Sequence, residues 1–194
     1  MPKLKKNDIM PDLPVTLDDG SKTTTRSLLK GRTVFWVLRY IGCPTCRYDV
    51  HMITQNYAEF EKRDTEVFVV MQSDPAHLHE ALKDTPVPFR FISDPGMAFY
   101  KALQIDPAKD DDELCGIDKT WWRSKRQRAD EMGFAHGEVE GTDMQLPAMF
   151  IVAADGTVSY AHYARCIPEI PTVPQMLDLL DGKIEEISGE NMFL

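Results

Sequence analysis

A pair of thiols placed directly after an apolar strand constrains this chain more than any other feature. Residues 33–38 (TVFWVL) form a continuous apolar run, and shortly after it Cys43 and Cys46, separated by Pro44 and Thr45, open a segment with apolar residues at helical spacing. The free backbone N–H groups at a helix N-terminus favour a thiolate, and a second thiol three residues later is close enough to form a disulfide. The sequence therefore predicts a redox-active dithiol at a strand-to-helix junction.

The rest of the chain alternates strand and helix patterns. The predicted strands are 33–40, 65–71, 89–92, 148–152 and 158–164, and the predicted helices are 25–29, 44–62, 75–83, 96–103, 118–132 and 173–180. Residues 7–20 form a leading extended segment, Asp155-Gly156 is a hairpin signal, and 105–144 is the part with least pattern. This order predicts an α/β fold with a central mixed sheet and helices on both faces.

Length and charge exclude several classes of protein. A chain of 194 residues predicts a single domain over 1–194. A net charge of −9 argues against nucleic acid or an anionic membrane as a partner. No apolar run approaches the roughly 20 residues needed to cross a bilayer, and no secretory signal is recognisable at the N-terminus. We therefore expect a cytoplasmic protein.

Four cysteines, at positions 43, 46, 115 and 166, are too few to staple a chain of this length. In a reducing compartment, the close pair is typical of catalysis or of metal binding. A structural zinc site needs four ligands, usually as two close pairs, and Cys115 and Cys166 are isolated in sequence. We therefore predict no metal and no cofactor, and interpret Cys115 and Cys166 as buried apolar residues, with additional resolving thiols as the alternative.

Taken together, these residues resemble the thioredoxin fold, and within it the alkyl hydroperoxide reductase/thiol-specific antioxidant (AhpC/TSA) branch of peroxiredoxin-like proteins. The resemblance rests on the strand followed by the dithiol, on Pro147 directly before a strand, on the hairpin at 155–156 and on the leading segment 7–13. It implies a thioredoxin-like domain with an N-terminal extension and an insertion at about 105–144. It also implies that Pro147 is a cis-proline beside the cysteines, with the backbone of Leu146 available to dock an extended substrate.

The chain departs from the peroxidase pattern of this branch, Pro-x-x-x-Thr-x-x-Cys. With Cys46 as the reactive thiol, the Pro and Thr positions hold Arg39 and Cys43; with Cys43, they hold Trp36 and Tyr40. Neither alignment preserves the motif. The main prediction is therefore a thiol-disulfide oxidoreductase in which Cys43 attacks a protein or small-molecule disulfide and Cys46 resolves the mixed disulfide.

Two alternatives stay open at this point. In a peroxiredoxin-like thiol peroxidase, Cys46 would be peroxidatic and Cys43 resolving; in a redox sensor or binding module, neither thiol would turn over. Arg39 at the strand end is expected to support either thiolate by its charge, and Pro44 suits the first helical turn. The resemblance makes Arg165 a candidate for the arginine that peroxiredoxin-like proteins keep near the thiolate. Either enzyme needs a thioredoxin- or glutathione-type thiol donor.

The insertion carries adjacent tryptophans, Trp121 and Trp122, beside a basic cluster within 119–128. Aromatic residues and arginine are enriched at protein interfaces. Our hypothesis is that the insertion forms a homodimer interface or shields the dithiol.

Overall fold

The computed structural model describes residues 2–187, and the sheet and helices lie within that range. The strands are β1 Pro14–Leu17, β2 Lys22–Thr24, β3 Arg32–Val37, β4 Thr65–Met71, β5 Arg90–Ser93, β6 Ala148–Val152 and β7 Val158–Tyr163. The helices are α1 Thr25–Leu28, α2 Pro44–Gln55, α3 Tyr57–Glu61, α4 Pro75–Leu82, α5 Ala98–Ala102, α6 Asp111–Cys115, α7 Thr120–Glu131 and α8 Val173–Leu180, with a 3-10 turn at Ile167–Glu169.

The strands form one mixed sheet in the order β2-β1-β5-β4-β3-β6-β7. β3 pairs in parallel with β4 and antiparallel with β6, and β4 pairs in parallel with β5. β3 is therefore central, and the loop that follows it leaves the carboxyl edge of the parallel strands. In open α/β sheets this edge is where ligand and catalytic residues collect.

Side chains of successive residues in β3 enter two different cores. Trp36 packs on the face covered by α2 and α8, and Phe35 and Val37 pack on the face covered by α5. Because both faces are buried, the strand is apolar throughout rather than alternating. The predicted central strand covered on both sides is confirmed, as is the α/β class with a mixed sheet.

Several boundaries differ from the predictions for local reasons. The predicted helix 44–62 is divided at Asn56, whose side chain donates to the Met52 carbonyl while its backbone N–H bonds Ile53 instead of continuing the regular pattern. Strand β3 ends at Val37, so residues 38–40 belong to the loop after it. Helix α4 begins at the predicted Pro75 and α8 at the predicted Val173, and they are capped by Asp74 and Thr172.

The expectation that Pro147 is a cis-proline is wrong. Within residues 2–187 the structure has no cis peptide bond. The trans form is the lower-energy isomer of an X–Pro bond, and here Pro147 leads directly into β6 while its carbonyl accepts the Ala164 N–H. The Leu146 carbonyl accepts a hydrogen bond from Gln145 Nε2, so this backbone is not a vacant docking edge.

The predicted insertion contains α6, α7 and a segment without regular structure, residues 134–144, called the strap below. Helix α7 packs on α2 through a nearly buried ion pair in which Lys125 Nζ lies 2.7 Å from Asp49 Oδ2. That residues 1–194 form a single domain stays a prediction. Within the described residues, no helix is both long and apolar enough to span a bilayer.

Candidate active site

Cys43 is the N-cap residue of α2, and its backbone is extended, with φ −78° and ψ 121°. Pro44 occupies the first helical position, where the missing N–H costs nothing. Cys46 is three residues further on, so the Cys46 N–H is one of the free donors of the first turn. It donates to Cys43 Sγ over 3.3 Å. The helix start therefore aims its positive end at one sulfur.

Two side chains complete the surroundings of the Cys43 sulfur. Arg39 Nη2 donates to Sγ over 2.9 Å, and Thr45 Oγ1 lies 3.2 Å from it. The Cys43 side chain is completely buried, and Arg39, Thr45 and Cys46 are each less than a tenth exposed. The sulfur thus sits in a buried pocket in which Arg39 and the Cys46 N–H donate hydrogen bonds to it.

These contacts separate the pKa values of the two thiols. Burial alone would raise the pKa of Cys43, but the Cys46 thiol, the Arg39 charge, the Thr45 hydroxyl and the Cys46 amide together hold that pKa well below its usual range. For Cys46, burial, the hydrogen bond to Cys43 and the Cys43 charge raise the pKa well above its usual range. These opposite shifts favour a thiolate at Cys43 and a thiol at Cys46.

The Arg39 guanidinium is fixed by a second partner. Its Nη1 donates to the Asp143 carbonyl over 2.5 Å and to Asp143 Oδ1 over 2.8 Å. The Tyr40 hydroxyl donates to the same Oδ1 over 2.5 Å, and His136 Nε2 lies 3.2 Å from that hydroxyl. Arg39 Nε is buried without a hydrogen-bond partner among the described residues. The Nε–H group of Arg39 is therefore able to donate a hydrogen bond to a group that enters the site.

The strap lies against the loop that carries the dithiol. Gly137 donates its N–H to the Gly42 carbonyl over 2.8 Å. A Cβ atom at Gly42 would clash with the Glu138 carbonyl oxygen. At the start of the strap, the Phe134 ring lies 4.9 Å from the Arg47 guanidinium carbon. The residue before Cys43 is thus covered by backbone at contact distance.

A cluster of hydrogen bonds holds the middle of the strap to the end of β4. Glu140 accepts from Ser73 Oγ over 2.5 Å and lies 2.7 Å from His77 Nδ1. Gln72 and Thr142 exchange two bonds, with Gln72 Nε2 donating over 3.1 Å and the Thr142 N–H donating over 2.7 Å. The Glu140 contacts raise the pKa of His77 above its usual value. We call Glu140, Ser73 and His77 the latch.

The structure gathers the predicted residues Arg39, Pro44 and Thr45 around the dithiol, but Arg165 lies elsewhere. Its side chain is 81% exposed and pairs with the Glu169 carboxylate. Arg39, which reaches Cys43 from the loop after β3, has the position next to the sulfur that we expected for Arg165. The two arginines are indistinguishable by sequence pattern because both follow a strand end.

A metal site involving the cysteines is not supported. Among the described residues, the one group of three potential ligands is Asp74, His77 and Glu140, and no cysteine belongs to it. All three are already engaged, Asp74 as the cap of α4 and the other two in the latch.

Sequence reasoning missed Asp143, Tyr40 and His136 as parts of the site. His136 and Asp143 belong to the part of the sequence with least pattern. Asp143 contacts Arg39 from 104 residues further along the chain, and His136 contacts Tyr40 from 96 residues further along. The one local signal is that Tyr40 and Arg39 interrupt an otherwise apolar run just before the dithiol.

Comparison with known proteins places this site in a family. A family model described as Redoxin matches residues 5–118, more than half of the chain. No curated protein matches the sequence.

Solved structures match the fold at low sequence identity. A cysteine-to-serine mutant of Peroxiredoxin 6 of Arenicola marina superposes with a TM-score of 0.68 at 14% identity, over 92% of this chain and 72% of that one. A cysteine-to-serine mutant of PrxQ of Xylella fastidiosa gives 0.68 at 11% identity, over 94% and 99%. The bacterioferritin comigratory protein of Xanthomonas campestris gives 0.60 at 16% identity, over 88% of each chain. These likenesses confirm the predicted thioredoxin-like, peroxiredoxin-like fold.

Proposed function

Since the chain belongs to the Redoxin family and is an oxidoreductase that works through thiols, we propose that it is a thiol-dependent peroxidase with Cys43 as the peroxidatic cysteine and Cys46 as the resolving one. The observation that carries the proposal is the set of donors on the Cys43 sulfur, from Arg39, Thr45 and the Cys46 N–H, beside a thiol that stays protonated. A thiolate is the nucleophile that attacks the O–O bond.

The reaction takes two chemical steps at the site. The Cys43 thiolate attacks one peroxide oxygen, the O–O bond breaks, and the leaving alkoxide or hydroxide takes a proton from water, which leaves a sulfenic acid on Cys43. The Cys46 sulfur then attacks the sulfenic sulfur, and the Cys43–Cys46 disulfide forms with loss of water. A thiol donor of the thioredoxin or glutathione type reduces this disulfide by exchange.

This proposal exchanges the cysteine roles of the sequence-based peroxidase alternative. That alternative aligned Cys46 with the reactive cysteine of the Pro-x-x-x-Thr-x-x-Cys motif, an alignment that places Cys43 at the threonine position. The hydrogen bonds and the pKa directions instead favour Cys43 as the attacking sulfur, because its charge is paired with Arg39 and the Cys46 proton is retained.

Thr45 and Arg39 supply contacts that the missing Pro-x-x-x-Thr motif provides in the resembling family. A hydroxyl and a guanidinium still meet the sulfur, although the threonine follows the cysteine in sequence instead of preceding it. The free Arg39 N–H is a donor for the oxygen that departs as the O–O bond breaks. The similar Xanthomonas protein is described as having alkyl peroxide reduction activity, which supports peroxide as the substrate class here.

The strap favours a small peroxide over a protein disulfide. Cys43 is fully buried, and the strap packs on Gly42 immediately before it. A disulfide substrate needs in-line access of one of its sulfurs and an extended chain to dock, and the Leu146 carbonyl already accepts a hydrogen bond from Gln145 Nε2. Disulfide reduction is the second candidate, because Cys43 at the N-cap and Cys46 one turn on also suit exchange.

Parallel assays of the reduced protein test the two candidates. Peroxide consumption, measured with an excess of thiol donor, is expected to require Cys43. The Cys46→Ser variant is expected to consume about one equivalent of peroxide per protein, after which consumption stops or slows. Reduction of a protein disulfide is measured under the same conditions. Peroxide consumption that persists in Cys43→Ser, or rapid disulfide reduction with no peroxide consumption, contradicts the proposal.

A further inference from the structure

A second pair of thiols, Cys115 and Cys166, lies together outside the dithiol site. Cys115 ends α6 and is followed by Gly116, whose backbone adopts φ +82°. A Cβ atom placed on Gly116 would lie 3.5 Å from Cys166 Sγ and 3.9 Å from Cys166 Cβ. The Cys166 side chain therefore packs on the residue next to Cys115, about one Cα–Cα step of about 3.8 Å away along the chain. A disulfide needs the two Cα atoms within about 7 Å of each other, so the α6 end must bring the Cys115 Cα atom within that distance of Cys166.

The two thiols share one open surface depression of about 960 Å³. The nearby charges act in both directions: Asp111 and Asp112 disfavour the Cys115 thiolate and Glu169 disfavours the Cys166 thiolate, whereas Lys119 and Arg165 favour the thiolates of Cys115 and Cys166, respectively. Burial outweighs them and raises the pKa of both thiols, to about 11 for Cys166. Such thiols react slowly with a free oxidant, but they can reduce a disulfide presented to them.

One small apolar cluster links this pair to the strap residues next to the dithiol site. Cys115 and Met144 pack on the same small apolar cluster, which also contains Leu146 and Ile167. Met144 follows Asp143, and Asp143 holds the Arg39 guanidinium that contacts Cys43. The Arg39 charge also acts on Cys115. Movement of the strap end at residues 143–144 would therefore open a path between the two pairs.

We propose that Cys115 and Cys166 form a second redox pair that takes over the disulfide from Cys43–Cys46. The inference rests on the proposed function, which supplies the Cys43–Cys46 disulfide as the oxidant. It gives Cys115 and Cys166 a role in passing reducing equivalents from the surface depression, where a thiol donor has access, to the buried dithiol.

The transfer is an exchange in which no external oxidant is consumed. The Cys115 thiolate attacks the Cys43 sulfur, the Cys43–Cys46 bond breaks, and Cys46 leaves with the proton that Cys115 gave up. Cys166 then releases its proton to solvent in the surface depression and attacks Cys115 in the mixed disulfide, and Cys43 leaves as the stabilised thiolate. Two electrons move from the second pair to the first, and the products are a reduced Cys43/Cys46 dithiol and a Cys115–Cys166 disulfide.

Disulfide mapping of the full chain over time tests this inference. The reduced protein is mixed with one equivalent of hydrogen peroxide, quenched with an alkylating agent at successive times, digested and analysed by mass spectrometry. The expected result is a Cys43–Cys46 disulfide that forms first and declines while a Cys115–Cys166 disulfide grows. Cys115→Ser should form the first disulfide at the wild-type rate and retain it.

Controls separate this inference from the proposed function. In Cys43→Ser, the Cys115–Cys166 disulfide should form at least about tenfold more slowly than in the wild type, because the remaining thiols are poor nucleophiles. Formation at the wild-type rate would overturn the transfer. A Cys43–Cys46 disulfide that never passes to Cys115–Cys166 overturns the inference and leaves the peroxidase intact. If peroxide forms no disulfide, the proposed function fails, and the same time course after diamide oxidation decides the transfer.

Discussion

Arg39 Nη2 donates a 2.9 Å hydrogen bond to the sulfur of Cys43, four residues further along the chain, and both side chains are buried. The pair joins the end of the central strand to the start of α2. It places a fixed positive charge against the first sulfur of the dithiol, so the sulfur that carries the charge is selected by the loop geometry rather than by the order of the cysteines. Opposite charges at this separation attract strongly when both are shielded from water.

Replacing Arg39 should therefore raise the pKa of Cys43. In Arg39→Gln we expect the pKa of Cys43 to rise, because the charge is removed and burial remains. The ultraviolet absorbance of the thiolate as a function of pH measures this directly. Arg39→Lys is the matched control, since it keeps a charge but loses the fork to Asp143, and we expect a smaller rise. An unchanged thiolate titration in Arg39→Gln would contradict the account.

The lowered pKa of Cys43 also predicts a pH dependence of stability. A group whose pKa is lower in the folded than in the unfolded chain contributes stability above the unfolded value, about 8.5 for cysteine, and loses it as the pH falls through the folded value. The free energy of unfolding of the reduced protein, relative to Cys43→Ser, should therefore increase with pH between these two values, by at most about 1.4 kcal/mol per pH unit. Urea unfolding at several pH values measures it. A difference that is flat or that falls with pH would be inconsistent with a buried thiolate at Cys43.

The latch should control access to Cys43. Glu140→Gln removes the negative charge that holds His77 and weakens the acceptor of Ser73, so the strap should open more often. We expect alkylation of Cys43 at fixed pH to become about 3- to 10-fold faster, for the loss of about 1 kcal/mol of closing free energy. Glu138→Gln, on the same strap with an exposed side chain, is the control and should match the wild type. Equal rates in all three proteins would mean that the latch does not limit access.

Gly42 provides an independent test of the strap. A methyl group at Gly42 has no room against the Glu138 carbonyl, so Gly42→Ala must displace the strap backbone. We expect a loss of about 1–3 kcal/mol in stability, as for overpacking, together with faster alkylation of Cys43. Gly96→Ala is the control, because a Cβ atom at Gly96 meets nothing within 4 Å. Thermal unfolding and alkylation rates that are unaffected in Gly42→Ala would contradict the close contact.

The fold could be predicted because its signals are local. The apolar run of β3, the proline that opens α2 and the Asp155-Gly156 turn each reflect a preference of a few neighbouring residues. The dithiol at the strand-to-helix junction follows from the same signals. Pro147 shows the limit of inference by resemblance, since the proline position is retained and the cis peptide is not.

The polar surroundings of the dithiol could not be predicted from the sequence. Comparing positions 39 and 43 with a family motif suggested that activating residues were missing, whereas in three dimensions Arg39 and Thr45 both contact Cys43. Asp143 reaches Arg39 from a segment without hydrophobic periodicity, and only the folded chain brings them together. Which sulfur is ionised depends on such contacts, so the sequence left it undecided. The homodimer and the cytoplasmic location stay predictions.

The most direct test of the central claim is to trap the sulfenic acid. Cys46→Ser is mixed with one equivalent of hydrogen peroxide in the presence of dimedone, and the modified residue is identified by mass spectrometry; Cys43→Ser is treated in the same way. The account predicts a dimedone adduct on Cys43 in Cys46→Ser, with little or none on Cys46 in Cys43→Ser, because burial, the largest cause of the raised pKa of Cys46, remains in that variant. A rapid adduct on Cys46 in Cys43→Ser, with Cys43 unmodified in Cys46→Ser, would contradict it.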